Sequence, residues 1–262
     1  MRLVALLTDF GSKDTYVAEM KAVILGYSPT AVIVDITHEV QPFNTLEGAF
    51  LLSLAAKTFP SGTIFLAVVD PTVGSARDAI MVETSTGKIF VGPDTGLLYP
   101  AASAEVIMRV NRIKTEHMGK VSGTFHGRDV FAHIVGRLAA GLSCEELVEE
   151  KKIMTVLEIP KPVIGDGFVE VKVLHVDRYG NVILSHQGPL QDDWELAEVY
   201  VGDHKLAEAK LVKYYSEVAA GEAVLTVGGT GYLELAVNLG NAAEKYGLKA
   251  GDVVTLVKSR SA

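Results

Sequence analysis

The run Thr63-Ile64-Phe65-Leu66-Ala67-Val68-Val69, cut off by Asp70-Pro71-Thr72-Val73-Gly74-Ser75-Ala76-Arg77, constrains the fold more than any other stretch of the chain. An unbroken series of apolar and β-branched residues leaves no polar face, so the segment reads as a strand covered on both sides. Pro71 has no N–H for a ladder and Gly74 permits a sharp turn, so the strand ends at the carboxylate of Asp70. In open α/β sheets, ligands collect where the carboxyl ends of the strands open into a crevice. Arg77 is near enough in sequence for the turn to fold it back onto Asp70. Taken alone, the stretch reads equally as a turn-capping Asp beside a solvated Arg. The recurrence of the pattern elsewhere in the chain favours a site.

Strands and helices alternate through the first part. Residues 3–7 form a strand, 16–25 a helix with Val17, Met20 and Ile24 on one face, and 31–35 a second strand that again ends in an acid. Residues 46–57 follow as a helix, then the strand at 63–69. Residues 79–83 and 88–91 form a hairpin around Ser85-Thr86-Gly87, and 130–140 a further helix. This order predicts an α/β domain with a largely parallel sheet covered on both faces. Beyond Pro160-Lys161-Pro162 the pattern changes to short strands at 168–176, 181–184, 196–201, 223–227 and 253–257, with one brief helix at 241–245. Such spacing predicts a small all-β, barrel-like domain. The expected domains are therefore 1–160 and 165–262, joined by a linker near 158–164.

Bulk properties narrow the function. The 262 residues suffice for a full hydrophobic core, and 24 Lys plus Arg against 32 Asp plus Glu give a net charge of −8. An acidic chain without a basic run is a poor match for a nucleic-acid backbone. Cys144 is the only cysteine, which excludes an intrachain disulfide and a thiolate metal cluster. No apolar run approaches the roughly 20 residues needed to span a bilayer. A protein of the cytoplasm that binds neither nucleic acid nor membrane is expected.

Three further loops carry candidate chemistry. In Thr8-Asp9-Phe10-Gly11-Ser12-Lys13-Asp14, Asp9 occupies a strand end like that of Asp70, and its carboxylate suits a ribose diol. Asp14 reads as the N-cap of the following helix and stands beside Asp9 as a candidate substrate contact. In Gly123-Thr124-Phe125-His126-Gly127-Arg128-Asp129, His126 lies at a helix N-terminus, whose dipole favours neutral imidazole. The alternative is a surface loop with Asp129 as the cap. Asp177-Arg178-Tyr179-Gly180-Asn181 contains ordinary hairpin residues between two strands. The glycine-rich Gly228-Gly229-Thr230-Gly231 matches neither a dinucleotide nor a P-loop fingerprint.

Together, Thr8-Asp9-Phe10-Gly11, Asp35-Ile36-Thr37-His38, Val69-Asp70-Pro71 with Val73-Gly74 and Arg77, Thr124-Phe125-His126-Gly127-Arg128-Asp129, Asp177 with Gly180-Asn181, and Gly231-Tyr232-Leu233-Glu234 resemble the S-adenosylmethionine hydroxide adenosyltransferases. These are S-adenosylmethionine hydrolases related to fluorinases and chlorinases. The resemblance spans nearly the whole chain in order. It implies hydrolysis of S-adenosylmethionine to adenosine and methionine; no cofactor is expected, and no metal, because no H-x-H or H-x-x-x-H pair concentrates ligands in one segment. It also implies a homotrimer whose ligand lies between the N-terminal domain of one subunit and the C-terminal domain of its neighbour.

By position, the resemblance places a catalytic trio on Asp70, Arg77 and His126, a ribose-binding acid on Asp9 and an aromatic near the ribose on Phe43. It places groups for the methionine amine and the base on Asp177 and Asn181. An adenine-stacking ring falls on Tyr215, with Tyr214 as the alternative, and backbone around Val237 meets the adenine edge. Where the family presents a serine to the methionine carboxylate this chain has Gly229-Thr230, so Thr230 or backbone N–H groups take that role. A water held by His126 and Asp70 is then expected to attack C5′, with Arg77 orienting Asp70. Two other readings compete: a binuclear metallohydrolase using Asp9, Asp35, His38, Asp70, His126 and Asp129, and a non-catalytic nucleoside-binding module.

Overall fold

The computed structural model describes residues 2–191 and 193–259, and the chain divides into two units, Met1–Glu158 and Ile159–Ala262. The first unit runs β1 (Leu3–Thr8), α1 (Tyr16–Tyr27), β2 (Val32–Thr37), α2 (Thr45–Ala56), β3 (Ile64–Val68), β4 (Ala79–Thr84), β5 (Ile89–Pro93), α3 (Tyr99–Ser103), β6 (Ile107–Ile113), α4 (Ala132–Ala139) and β7 (Val148–Glu150). Among the described residues these strands form one sheet in the order β2-β1-β3-β5-β4-β6-β7.

Strand alternation sorts the core into two layers. Val4 and Leu6 of β1 and Ile64, Leu66 and Val68 of β3 pack with Met20 and Ile24 of α1 and Ile134, Val135 and Leu138 of α4. Ala5 and Leu7, with Phe65 and Ala67, face the other way onto Ala49 and Leu52 of α2 and onto Leu97 and Leu98. The run at 63–69 is therefore covered on both faces, as its composition requires.

The sheet is mixed, not largely parallel. Strands β2, β1, β3 and β5 run parallel, whereas β4 is antiparallel to β5 and β6, and β7 is antiparallel to β6. A parallel crossover needs a dozen or more residues, usually a helix. The link from β3 to β4 is a turn-rich segment without a helix. It therefore sends the chain straight back, and the tight hairpin at Gly87 reverses it again.

The second unit contains β8 (Val163–Gly165), β9 (Phe168–Val176), β10 (Val182–Gln187), β11 (Leu196–Val201), β12 (His204–Leu211), β13 (Ala223–Val227), β14 (Tyr232–Val237), α5 (Ala242–Tyr246) and β15 (Val253–Lys258). The order β10-β14-β13-β12-β11-β15-β9 closes because β9 pairs back onto β10, giving a seven-stranded barrel among the described residues. Closure removes free edges. The short β8 pairs with the first half of β9. The interior is filled by Val171, Val173, Leu184, Val199, Leu225, Leu233, Leu235 and Leu256.

In the first unit, Phe65 and Phe90 stack at 4.7 Å between centroids and 11° between planes, both fully buried. Replacing Phe90 by Ala removes the ring and leaves a cavity that close-packed neighbours cannot fill. The expected cost is about 3–5 kcal/mol, read as an earlier denaturant midpoint for the unfolding of this unit. A loss below about 1 kcal/mol would show that the layer repacks around the gap.

Candidate active site

Parallel strands bring their carboxyl ends to one edge, so the residues that follow β1 and β3 collect together. Asp9 directly follows β1, and Asp70 lies just beyond β3. The turn after Asp70 folds Arg77 back as its sequence allows. Arg77 Nε donates to Asp70 Oδ1 at 3.1 Å and Oδ2 at 2.9 Å, and Nη2 donates to Oδ2 in a close ion pair. The Arg77 side chain is 8% exposed and that of Asp70 5%. The Thr72 backbone N–H and hydroxyl both donate to Asp70 Oδ1 at 3.3 Å, and the guanidinium lies 5.6 Å from the Phe131 ring centroid.

Arg77 also reaches His126, with Nη2 lying 2.9 Å from Nδ1. Guanidinium is a donor only, so Nδ1 accepts and the proton of a neutral ring sits on Nε2. Burial lowers the His126 pKa from its usual value and the adjacent Arg77 charge lowers it further, outweighing Asp70 and Asp129. The direction matches the expectation from the sequence, but its cause is burial and a neighbouring cation.

The loop that carries His126 is fixed by close backbone contact. Gly74 has φ +78, and a Cβ there would lie 2.5 Å from the Gly123 carbonyl oxygen, so only glycine lets the two loops touch. Beyond His126 the chain makes a wide π turn, Gly127–Phe131, before α4. Such turns frequently mark functional sites. Asp129 caps no helix. It accepts from the Ser122 N–H at 2.9 Å and from Arg128 Nε at 2.7 Å. Burial pushes its pKa up, but Arg128 and Ser122 outweigh this and hold it at about 2.

Asp9 is half-buried, which raises its pKa. The Phe43 N–H opposes that shift, and the charge of Asp70 adds to it. Its Oδ2 accepts from the Phe43 N–H at 2.8 Å. Phe43 has φ +68 and is 70% exposed. A non-glycine residue in that region stores strain, which functional sites commonly tolerate. Asp9 and Phe43 are thus joined, whereas Asp14 is not. The N-cap of α1 is Thr15, without a side-chain cap bond, and the Thr15 hydroxyl donates to Glu19 instead. Asp14 itself is exposed.

In the second unit, Asp177 organises the turn between β9 and β10. Its Oδ1 accepts from the N–H groups of Tyr179 and Asn181 at 2.8 Å each, and Oδ2 accepts from Asn181 Nδ2 at 2.9 Å. The Tyr215 hydroxyl donates to Glu234 Oε2 at 2.8 Å. Burial, this hydrogen bond and the charge of Asp177 push the tyrosine pKa up to about 12. Asp177, Asn181 and Tyr215 therefore share one neighbourhood with Glu234, to which sequence reasoning gave no role. Its signal was an acid inside an otherwise apolar strand. Tyr214 is 68% exposed. Thr230 Oγ1 accepts from the Tyr232 N–H at 3.3 Å, and Val237 is buried at the end of β14.

The acids and histidines considered for a metal pair are engaged with other partners. Asp35 Oδ2 accepts from Lys21 at 2.6 Å, and Asp129 is held by Arg128. Among the described residues no three His, Cys, Asp or Glu side chains are grouped as a metal ion requires.

A mixed α/β unit with a buried carboxylate–guanidinium pair joined to a half-buried imidazole near its strand ends, followed by a closed β-barrel, defines the class. The family models for the N-terminal and C-terminal domains of SAM hydroxide adenosyltransferase match residues 4–148 and 171–255. The chain belongs to this family. It is 37% identical to the (R)-S-adenosyl-L-methionine hydrolase of Thermus thermophilus, covering 98% of this chain and 100% of that protein. It is 36% identical to the enzyme of the same name from Salinispora tropica, over 95% of both. A crystal structure of a conserved protein from Thermotoga maritima superposes with a TM-score of 0.87 at 36% identity, over 97% of this chain and 99% of that one.

The arrangement around Arg77 predicts the protonation behaviour of His126. In ¹⁵N-detected NMR at neutral pH the ring should be the Nε2–H tautomer. It should gain its second proton below the ordinary histidine value of about 6.5. An Nδ1–H tautomer, or titration above that value, would contradict the shared-guanidinium geometry.

Proposed function

We propose that the protein hydrolyses (R)-S-adenosyl-L-methionine to adenosine and L-methionine, with Asp70, Arg77 and His126 acting on the nucleophile. The observation that carries the reading is the Arg77 guanidinium bridging Asp70 and His126, set beside Asp9. The relatives' names supply the substrate and the R configuration at sulfur.

The reaction is an in-line displacement. A water oxygen forms a bond to C5′, the C5′–S bond breaks, its electron pair stays on sulfur, and the water loses a proton. The leaving group is a neutral thioether, so the protein's task is to align and desolvate the nucleophile. Because Arg77 occupies Nδ1, His126 offers Nε2–H as a donor to the nucleophile's oxygen. His126 therefore holds the water by donating to it rather than by accepting its proton. Within the trio, the carboxylate of Asp70 is the proton acceptor. Arg77 orients that carboxylate and, with His126, favours hydroxide character in the attacking oxygen.

In the same reading, Asp9 holds the ribose diol, with Phe43 against the sugar. Asp177 and Asn181 hold the methionine amine and the base, and Tyr215 lies against adenine. Thr230 or nearby N–H groups take the carboxylate, and backbone at Val237 meets the adenine edge. Asp14, exposed and unbonded to this group, lies at the margin of the substrate. No cofactor enters the scheme. We further propose a homotrimer located in the cytoplasm. A single, buried and unpaired thiol at Cys144 suits a reducing compartment, and among the described residues no helix is long and apolar enough to cross a membrane.

Purified protein incubated with each sulfonium epimer in a chelator should consume the R epimer and release adenosine and methionine in equal amounts. Asp70→Ala should lower single-turnover rates by about two to four orders of magnitude if Asp70 accepts the proton, while adenosine binding changes far less. Release of methylthioadenosine, or an undiminished rate in Asp70→Ala, would overturn the proposal.

A further inference from the structure

Glu234 faces outward from the barrel wall, because its strand neighbours Leu233 and Leu235 belong to the interior. An outward acid on a small barrel is ordinarily solvated, yet Glu234 is 4% exposed. Tyr215 and Gly228 cover it. The Tyr215 hydroxyl donates to Oε2 at 2.8 Å, and a Cβ added to Gly228 would lie 1.6 Å from Oε1 and 2.1 Å from Cδ. Gly228 lies outside the left-handed region, so its backbone does not demand glycine. The carboxyl group resting on its α-carbon does. This accounts for one glycine of the run at 228–231, which fits no phosphate-binding pattern.

The hydroxyl end of Tyr215 is thereby tethered, while the residue as a whole is 39% exposed. Burial and the charge of Asp177 push the Glu234 pKa up, and the hydrogen bond from Tyr215 opposes them. The tyrosine donor thus offsets part of the cost of enclosing the acid.

We propose that Glu234, seated on Gly228, is a positioning residue that holds the Tyr215 ring as a fixed platform for the planar base of the substrate. The inference rests on the reading above, in which Tyr215 lies against adenine. A ring tethered in advance gives up less side-chain freedom when the base arrives, and that saving appears as affinity.

The test measures adenosine binding by calorimetry, and KM and kcat for hydrolysis, on the full chain. Glu234→Ala, Gly228→Ala and Tyr215→Phe should each raise the adenosine Kd and the KM about three- to tenfold, the effect of one lost hydrogen bond, with a smaller change in kcat. Glu234→Gln keeps an acceptor oxygen for the tyrosine hydroxyl and should recover most of the loss. The double variant Glu234→Ala with Tyr215→Phe should be no worse than the poorer single one, because both break the same contact.

Two outcomes overturn the inference in distinguishable ways. If Tyr215→Ala leaves adenosine affinity at the wild-type level, the reading of Tyr215 as a base contact fails and the platform with it. If Tyr215→Ala weakens binding while Tyr215→Phe and Gly228→Ala do not, the ring contacts the base without help from Glu234. Tyr215→Phe is conservative enough to decide the matter even if Glu234→Ala folds poorly.

Discussion

Arg77 holds two partners at once, and the chemistry proposed for this chain depends on that sharing. Enclosing a carboxylate and a guanidinium costs several kcal/mol per ion unless geometry and further hydrogen bonds compensate. Here the pair is two-pronged and Thr72 adds two donors to Asp70, the arrangement in which charge-assisted bonds are strongest. The second N–H of Nη2 then fixes His126 through Nδ1. One guanidinium thus orients the acid and selects the imidazole tautomer, and in the proposed mechanism it supplies positive charge beside the nucleophile. Lysine could not replace it, because its ammonium lacks the planar fork that reaches both partners in fixed directions.

The fold supports this contact at both ends. Strand β3, dry on both faces between two core layers, fixes where Asp70 emerges. The contact between Gly74 and Gly123 fixes the loop bearing His126. In the barrel, closure gives the Asp177 turn and β14 a fixed frame, and the short turn Tyr215–Glu217 between β12 and β13 brings Tyr215 onto Glu234. Both units place polar groups on short segments anchored by regular structure, which is how preorganisation is obtained at low entropic cost.

Much of this was legible in the sequence because hydrophobic runs that stop abruptly at acids are a strong signal. The strand at 63–69 and the folding back of Arg77 followed from that pattern, whereas the barrel followed from the close spacing of short strands and the turn at Asp177 from its hairpin residues. The hairpin of β4 and β5 was legible and sets β4 antiparallel to β5. Which of its strands lies beside β3 was not, because both are largely apolar; β5 takes that place, in parallel. Asp14 failed as a cap because Thr15 stands one residue nearer the helix. The role of His126 depended on which nitrogen Arg77 meets, a matter of geometry that spacing cannot express. Glu234 lay in a motif visible from the start, but its enclosure by Gly228 and Tyr215 could not be read from spacing.

Attack of water on C5′ of the sulfonium substrate must leave the water's oxygen in adenosine. Hydrolysis of (R)-S-adenosyl-L-methionine would be run for a single turnover in water enriched in ¹⁸O, with both products analysed by mass spectrometry. Attack at C5′ predicts one heavy oxygen in the 5′-hydroxyl of adenosine and none in methionine. Label in homoserine, accompanied by methylthioadenosine, would place the attack on the amino-acid side of sulfur and contradict the assignment of Asp70, Arg77 and His126 to the ribose carbon.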